Sequence, residues 1–498
     1  MRAASRLSIS KKSFLEASGG FGEHGIPPLY AEIPFLPPHS LYRPFAGPGS
    51  FVFESGKGPD SIARYSFVGF DPCGAFRVRD GLYDVSLAGR RLEVQAKNPL
   101  NSLRTLTEGY SQRPVEGLPP FQGGAAGLLS YDLVRYFERL PVTTRDDLRV
   151  PDAHFFIFDR LLALDRREGR AWVIVCPGAR RPHGADWAGA YDEAEDAIFR
   201  VIEAIASPPA GEVQVARGPV EIFHETDKAG YMEMVRRAKD YIAAGDIFQA
   251  NLSLRVSAET GNLTPWDLYS SLRRINPSPF SGFMDFGDYH IVSSSPERLL
   301  RVRDGVAETR PIAGTRPRGK DAAEDTAMRA ELLLNAKERA EHIMLIDLER
   351  NDLGRVCDYG SVEVDELMTT EDYSHVIHIV SNIRGRLAPG KDAFDAIRAS
   401  FPGGTITGVP KVRCMEIIDE LEPVRRGPYT GSLGYFGFSG NADFNIIIRT
   451  FAVKGGVAYV QAGAGIVADS DPEREYHEAL KKAEALIRTL QGGATGQP

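Results

Sequence analysis

Four glutamates are spaced for joint work. Glu338 and Glu341 stand three residues apart in a segment of helical composition, and Glu475 and Glu478 repeat that spacing near the C-terminus. Residues three apart share one helical face. Carboxylates from two facing helices form an oxygen-only cage suited to Mg²⁺, a hard cation that keeps waters with which to reach a substrate. A solvated helix surface can show the same spacing, so the pairs gain meaning only in company. Two glycine-rich segments supply it. Phe401-Pro-Gly-Gly-Thr-Ile-Thr-Gly408 runs into Val409-Pro410-Lys411, where a helix begins, so its backbone N–H groups can face an anion. It lacks the Gly-Lys-Ser/Thr ending of a P-loop. Gln461-Ala-Gly-Ala-Gly465 ends a strand and offers backbone donors for a carboxylate. A plain turn is the alternative reading of both.

The elements that must carry these residues follow from periodicity and punctuation. Before residue 50, Pro and Gly are dense, which predicts an extended segment over 1–49. Short β-like runs then recur between turn signals: Ser50–Glu54, Ala75–Val78, Leu92–Val94, Gly127–Leu129, His154–Phe158 and Ala171–Cys176. Asp186–Ala206 reads as a helix, and Ser207-Pro208-Pro209 opens a linker placed at 207–225, closing an N-terminal lobe of 50–206. In the C-terminal region, 226–490, helices are predicted at Lys228–Ala244, Ala323–Leu345, Asp392–Ala399, Pro410–Leu421 and Pro472–Leu490. Strands between them include Ile247–Val256, Asn445–Val453 and Val457–Ala464. Gly-containing tight turns such as Ser439-Gly440-Asn441 favour antiparallel pairing, so the fold class is α+β, large antiparallel sheets in a sandwich with flanking helices. The tail, 491–498, is expected to fray.

Composition removes whole classes of function. A chain of 498 residues, 43% apolar and 25% charged, has ample material to bury but exceeds one ordinary core, so two intermixed lobes are expected. Its 59 basic and 67 acidic residues give a net charge of -8, contrary to a nucleic-acid footprint. Short basic runs such as Arg166-Arg167 and Arg425-Arg426 read as solvated faces. Cys73, Cys176, Cys357 and Cys414 lie far apart, with no zinc or disulfide spacing, which suits a reducing cytoplasm. The N-terminus lacks the apolar core of a secretory signal, and no run of about 18 apolar residues predicts a membrane span.

Eight strings now fall into order: Gly245-Asp-Ile-Phe-Gln-Ala-Asn251, Ser295-Pro-Glu297, Arg310-Pro-Ile-Ala-Gly-Thr-Arg316, Lys337-Glu-Arg-Ala-Glu-His342, Asp347-Leu-Glu-Arg-Asn-Asp352, Tyr373-Ser-His-Val-Ile-His378, Ile448-Arg-Thr450 and Gly463-Ala-Gly-Ile-Val-Ala-Asp-Ser470. Together they resemble the signatures of the chorismate-binding enzymes. The resemblance is strong over 226–490, which it makes the catalytic chorismate-binding domain, and reaches back through Phe53-Glu-Ser55, Arg64-Tyr-Ser-Phe67 and Gly123-Gly-Ala-Ala-Gly127. It implies that Glu341 and Glu478 ligate Mg²⁺, that Glu338 and Glu475 assist them, and that the ion meets the ring carboxylate of chorismate. It implies that Arg449 and the backbone of Gly463, Ala464 and Gly465, with Lys482 and Tyr429 nearby, hold the carboxylates and enolpyruvyl ether; an arginine fork binds carboxylate bidentately. Glu297 matches the general acid that assists departure of the C4 hydroxyl, which requires a raised pKa. His378 and Thr405 match positions lining the ring, and for His378 an orienting role and a catalytic one both stand.

The resemblance also speaks to the nucleophile. Water-using members carry a lysine base where this chain has Gln249, and an amide takes no proton near neutral pH, so ammonia is the expected reagent. Many aminodeoxychorismate synthases carry a nucleophilic lysine where this chain has Ala313, and anthranilate synthases have alanine there. Against that, Pro279-Phe-Ser-Gly-Phe283 and Asp443-Phe-Asn-Ile446 resemble the aminodeoxychorismate branch rather than the string with which anthranilate synthases enclose feedback tryptophan. The expectation is aminodeoxychorismate synthase component I, receiving ammonia from a separate glutamine amidotransferase subunit, with anthranilate synthase component I as the alternative. A non-catalytic ligand-binding subunit is the reading from another class; the joint presence of Glu297, Glu341, Glu478 and Arg449 counts against it.

Overall fold

The computed structural model describes residues 7–60, 62–94, 97–181, 186–207, 220–372 and 376–492. Side-chain alternation sets its layers. In the strand Arg170–Val175, Ala171, Val173 and Val175 enter one hydrophobic core while Trp172 and Ile174 enter another. Successive side chains point to opposite faces, so this strand is buried on both. Two such sheets stack face to face. Phe51, Trp172, Met284 and Ile291 of the first meet Leu128, Phe158, Leu433 and Tyr435 of the second. The outer face of the first packs on the helices Trp187–Ala206, Lys228–Ala243, Pro265–Ile275, Lys411–Leu421 and Pro472–Leu490. The outer face of the second packs on Pro99–Glu108, Ala336–Gly354 and Ala393–Ser400.

Among the described residues each sheet has twelve antiparallel strands. The first runs Leu29–Ile33, Arg170–Val175, Arg160–Asp165, Tyr65–Gly69, Phe51–Glu54, Phe280–Asp285, Tyr289–Ser295, Thr450–Lys454, Val457–Ile466, Gln249–Glu259 and Phe223–His224, with Gly408–Val409 also on Gln249–Glu259. The second runs Ile312–Pro317, Val376–Arg386, Val306–Arg310, Arg298–Arg303, Ala442–Asn445, Ser432–Gly437, Gly124–Leu129, Ala153–Phe158, Gly74–Arg79, Leu82–Leu87 and Arg90–Leu92, with Glu363–Asp372 also on Val376–Arg386. The fold is the expected α+β antiparallel sandwich. Strands from either side of 207–225 share both sheets: Phe51–Glu54 pairs with Phe280–Asp285, and Gly124–Leu129 with Ser432–Gly437. Residues 208–219 of the expected linker, 493–498 of the tail and 373–375 lie outside the described residues.

Three local expectations are corrected. The 1–49 segment holds the helices Lys11–Ala17 and Pro38–Tyr42 and the strand Leu29–Ile33. Ser10 caps the first helix, Pro38 occupies a first-turn position where its missing N–H costs nothing, and the strand finds a ready edge in Arg170–Val175. The single helix expected at Ala323–Leu345 is two, Ala322–Leu334 and Ala336–Gly354. Asn335 interrupts them in an extended conformation, its side chain accepting from the N–H groups of Lys337 and Glu338 at 3.1 Å each. The strand expected over Asn445–Val453 breaks after Asn445 and resumes at Thr450, and the break builds the site.

Candidate active site

Two crossovers between the sheets meet here. The chain leaves the first sheet after the strand Tyr289–Ser295 and enters the second at Arg298, turning through Pro296 and Glu297. It returns through residues 446–449, between Ala442–Asn445 and Thr450–Lys454. The turns are stitched together. Ser295 Oγ donates to the Ile446 carbonyl at 2.6 Å, the Ile446 N–H donates to the Glu297 carbonyl at 3.0 Å, and the Ser294 N–H donates to the Arg449 carbonyl at 3.1 Å. Arg449 adopts φ 50°, a left-handed conformation costly for a side chain with a Cβ, held here by the flanking turns. Glu297 and Arg449 thereby come within electrostatic reach of each other.

The Glu297 carboxyl is buried, which pushes its pKa up to about 7; the Thr405 hydroxyl, Arg449, the Ile312 N–H and Lys482 restrain the rise. Glu297 Oε1 and Thr405 Oγ1 are both buried and, among the described residues, have no partner other than each other. Thr405 sits in the turn Gly404–Ile406, which reaches the helix Ala336–Gly354 because a side chain at Gly404 would overlap Leu348. His378 lies on Val376–Arg386 opposite Thr315. Its Nδ1 is 3.1 Å from the Gly314 carbonyl, an acceptor only, so Nδ1 carries the proton. Burial, with Arg449 adding to it, lowers the His378 pKa to about 4, so the ring is neutral at pH 7.

The paired glutamates lie near the starts of two helices, where the macrodipole favours negative charge. Asn335 caps Ala336–Gly354, and Asp471 caps Pro472–Leu490 by accepting from the Arg474 N–H at 2.9 Å. Burial raises Glu341, which the Gln249 amide at 3.3 Å opposes and Glu338 reinforces. Burial likewise raises Glu475, with Ser470 opposing and Glu478 reinforcing. Both feel the ammonium groups of Lys337 and Lys482, which places the two helices' carboxylates in one electrostatic neighbourhood. The donor set, carboxylate oxygens with excess negative charge, fits Mg²⁺. Among the described residues no three His, Cys, Asp or Glu side chains converge on one point.

The strand pair Gln249–Glu259 and Val457–Ile466 forms the floor. Gln249 is buried beneath Gly465, where an added Cβ would overlap its amide nitrogen, and Gly463 leaves the same room for Asn251. Ala464 differs from these neighbours: its side chain faces the helix-side core with Leu252, so only its backbone can serve the site. Beyond Val460 the strand has lost Thr450–Lys454 as a neighbour, which bares the edge carrying Gly463. Lys482 Nζ donates to the Gly463 carbonyl at 3.0 Å. Tyr429 is buried nearby with its pKa raised by burial, so it stays a phenol. Beneath it lies a correction. Arg426 is not a solvated face: it is 2% exposed, bonds Glu422 at 2.7 Å and stacks on Tyr131 and Tyr429. The segment from Glu422 to Arg426 lies beyond the end of the helix Lys411–Leu421, so no helical periodicity signalled the pair.

The chain as a whole has known relatives. The sequence model for chorismate binding enzymes matches residues 50–488. The chain belongs to the chorismate-binding enzyme family. Aminodeoxychorismate synthase component 1 of Bacillus subtilis is 44% identical over 440 residues, 88% of this chain and 91% of that protein. Anthranilate synthase component 1 of Thermus thermophilus is 46% identical over 451 residues, 90% of this chain and 94% of its own length. The crystal structure of anthranilate synthase component I from Streptococcus pneumoniae superposes with a TM-score of 0.75 at 36% identity, covering 86% of this chain and 92% of that one. This member of the family is a chorismate-utilising enzyme of the aminodeoxychorismate and anthranilate synthase type.

A cavity of about 450 Å³ is lined in part by Arg298, Asp443 and Asn445, next to the crossover turns. Phe53, Glu54 and Ser55 meet Phe280, Ser281 and Arg298 in its wall. Glu54 is occupied by Tyr269 at 2.9 Å and by Arg273 at 2.9 Å, and Ser281 Oγ donates to the Ser278 carbonyl at 3.0 Å. Phe53-Glu-Ser55 thus shares one wall with Phe280 and Ser281 of the string compared with the tryptophan-enclosing segment of anthranilate synthases.

Proposed function

We propose that this chain is component 1 of an aminodeoxychorismate synthase, converting chorismate and ammonia to 4-amino-4-deoxychorismate and water in the presence of Mg²⁺. The observation that carries amination over hydration is Gln249. Its amide is held by Glu341 and enclosed under Gly465, so the group at the nucleophile's place cannot act as a base. Ammonia needs none. Arg449, Tyr429, Lys482 and the Gly463–Gly465 backbone hold the substrate's carboxylates and ether. Glu341 and Glu478, with Glu338 and Glu475 beside them, would hold the metal, whose positive charge would stabilise the substrate's ring carboxylate. Glu297 gives its proton to the C4 hydroxyl, which leaves as water. Neutral His378 orients the ring, and Thr405 steadies Glu297.

The ammonia comes from a separate glutaminase subunit. All four cysteines are buried, and burial pushes Cys73 and Cys414 up to about 12 and Cys357 to about 11, so none offers the accessible thiolate a glutaminase requires. The component 1 names of the relatives support a second subunit. Ala313 favours a second reading, anthranilate synthase, because its methyl group excludes covalent attack on the ring and leaves direct addition of ammonia. The purified chain, given chorismate, Mg²⁺ and ammonium at alkaline pH, is expected to consume chorismate, and Glu341→Gln to lose that activity. Chromatography with and without aminodeoxychorismate lyase decides the product: anthranilate formed without the lyase would replace the first reading by the second.

A further inference from the structure

Lys482 stands at the junction of the metal and substrate regions. It lies one helical turn beyond Glu478, its Nζ 2.9 Å from Glu478 Oε1 and 3.0 Å from the Gly463 carbonyl. Its charge also reaches Glu297, Glu341 and Glu475, three carboxylates on three separate segments. Each of the four paired glutamates faces a protein donor: Glu338 meets Arg316 at 3.3 Å, Glu341 meets Gln249, Glu475 meets Ser470 and Glu478 meets Lys482. The Lys482–Glu478 pair is half-exposed, at 45% and 54% of side-chain area, so solvent screens it and little free energy opposes its opening.

We propose that Lys482 is a built-in counter-cation: a divalent cation must displace its ammonium from Glu478, and the released ammonium, still tethered beside Gly463, then meets the substrate's carboxylate. Metal and chorismate therefore bind with positive coupling, each favouring the arrangement the other needs, and by linkage each strengthens the other by the same factor. The inference rests on the metal and substrate roles proposed above and adds the exchange that joins them.

Mn²⁺ binding to the full chain, read by electron paramagnetic resonance with and without chorismate and with no ammonium present, tests this apart from turnover. Without chorismate, Lys482→Met is expected to bind Mn²⁺ about fivefold more tightly than wild type, the upper worth of a half-exposed ion pair. Lys482→Arg, which keeps the charge, should follow wild type. Chorismate should tighten Mn²⁺ binding in wild type and do so less in Lys482→Met. Equal or weaker Mn²⁺ binding by Lys482→Met overturns the counter-cation role while leaving the metal site standing. Absence of Mn²⁺ binding by wild type, with chorismate or without, overturns the metal reading and the exchange together.

Discussion

Replacing Glu297 by glutamine should set chemistry against stability, and both sides can be worked out. Burial, opposed by Thr405, Arg449, the Ile312 N–H and Lys482, carries the carboxyl from an ordinary 4.5 to about 7. At pH 7 about half the molecules hold the proton, against roughly one in 300 for a carboxyl at its ordinary value, so burial multiplies the acid form about 150-fold. Glutamine has no proton to give, and turnover is expected to fall by about 10²–10⁴. Stability moves the other way. Between pH 4.5 and 7 the folded state keeps a proton that the unfolded state has lost, so stability declines as pH rises through that window and levels off above it. Against a neutral side chain of the same shape, Glu297 costs about 1 kcal/mol at pH 5 and about 3 kcal/mol at pH 8. Urea unfolding of Glu297→Gln should therefore show a gain that grows between those two pH values. A gain that is equal at both, or a loss at pH 8, would refute burial as the source of the shift; unchanged turnover would refute the acid role.

Thr405→Val removes the group that most restrains Glu297, so the falling limb of turnover against pH should move to higher pH, with the rate at pH 7 within about twofold of wild type. A limb that stays or moves lower contradicts the assignment. Gly465→Ala should push the flexible Gln249 amide aside, costing under about 1 kcal/mol of stability while lowering turnover about tenfold or more; steady-state kinetics and urea melts separate the two. Tryptophan is expected to inhibit little, because Ser281 bonds Ser278 where a methionine would help enclose an indole. Strong inhibition at micromolar tryptophan in a turnover assay favours the anthranilate reading.

Much of the fold was legible because it is written in short-range signals. Alternating strands, glycine turns and capped helices are local, and the long helix carrying Glu475 and Glu478 was placed with its bounds as found, Pro472–Leu490. One of the misses was also local in cause. Asn335 broke one helix because its carboxamide competes for the backbone N–H groups of the next turn, and a helical composition on both sides concealed it. Arg426 was misread because adjacent charges look solvated, and only the tertiary structure buries Arg426 against Glu422.

Residue types and motif order by themselves determined the family, the paired carboxylates and the absence of a base at Gln249, since these depend on identity and local spacing. Only the tertiary structure decided what state those groups are in. Glu297 is an acid near neutrality because one sheet crossover buries it, and Arg449 faces it because a second crossover, 150 residues along the chain, is hydrogen-bonded to the first. Lys482 is shared among carboxylates from three segments for the same reason. A pKa is set by solvent exclusion and by charges brought close in space, and neither is a property of neighbours in sequence.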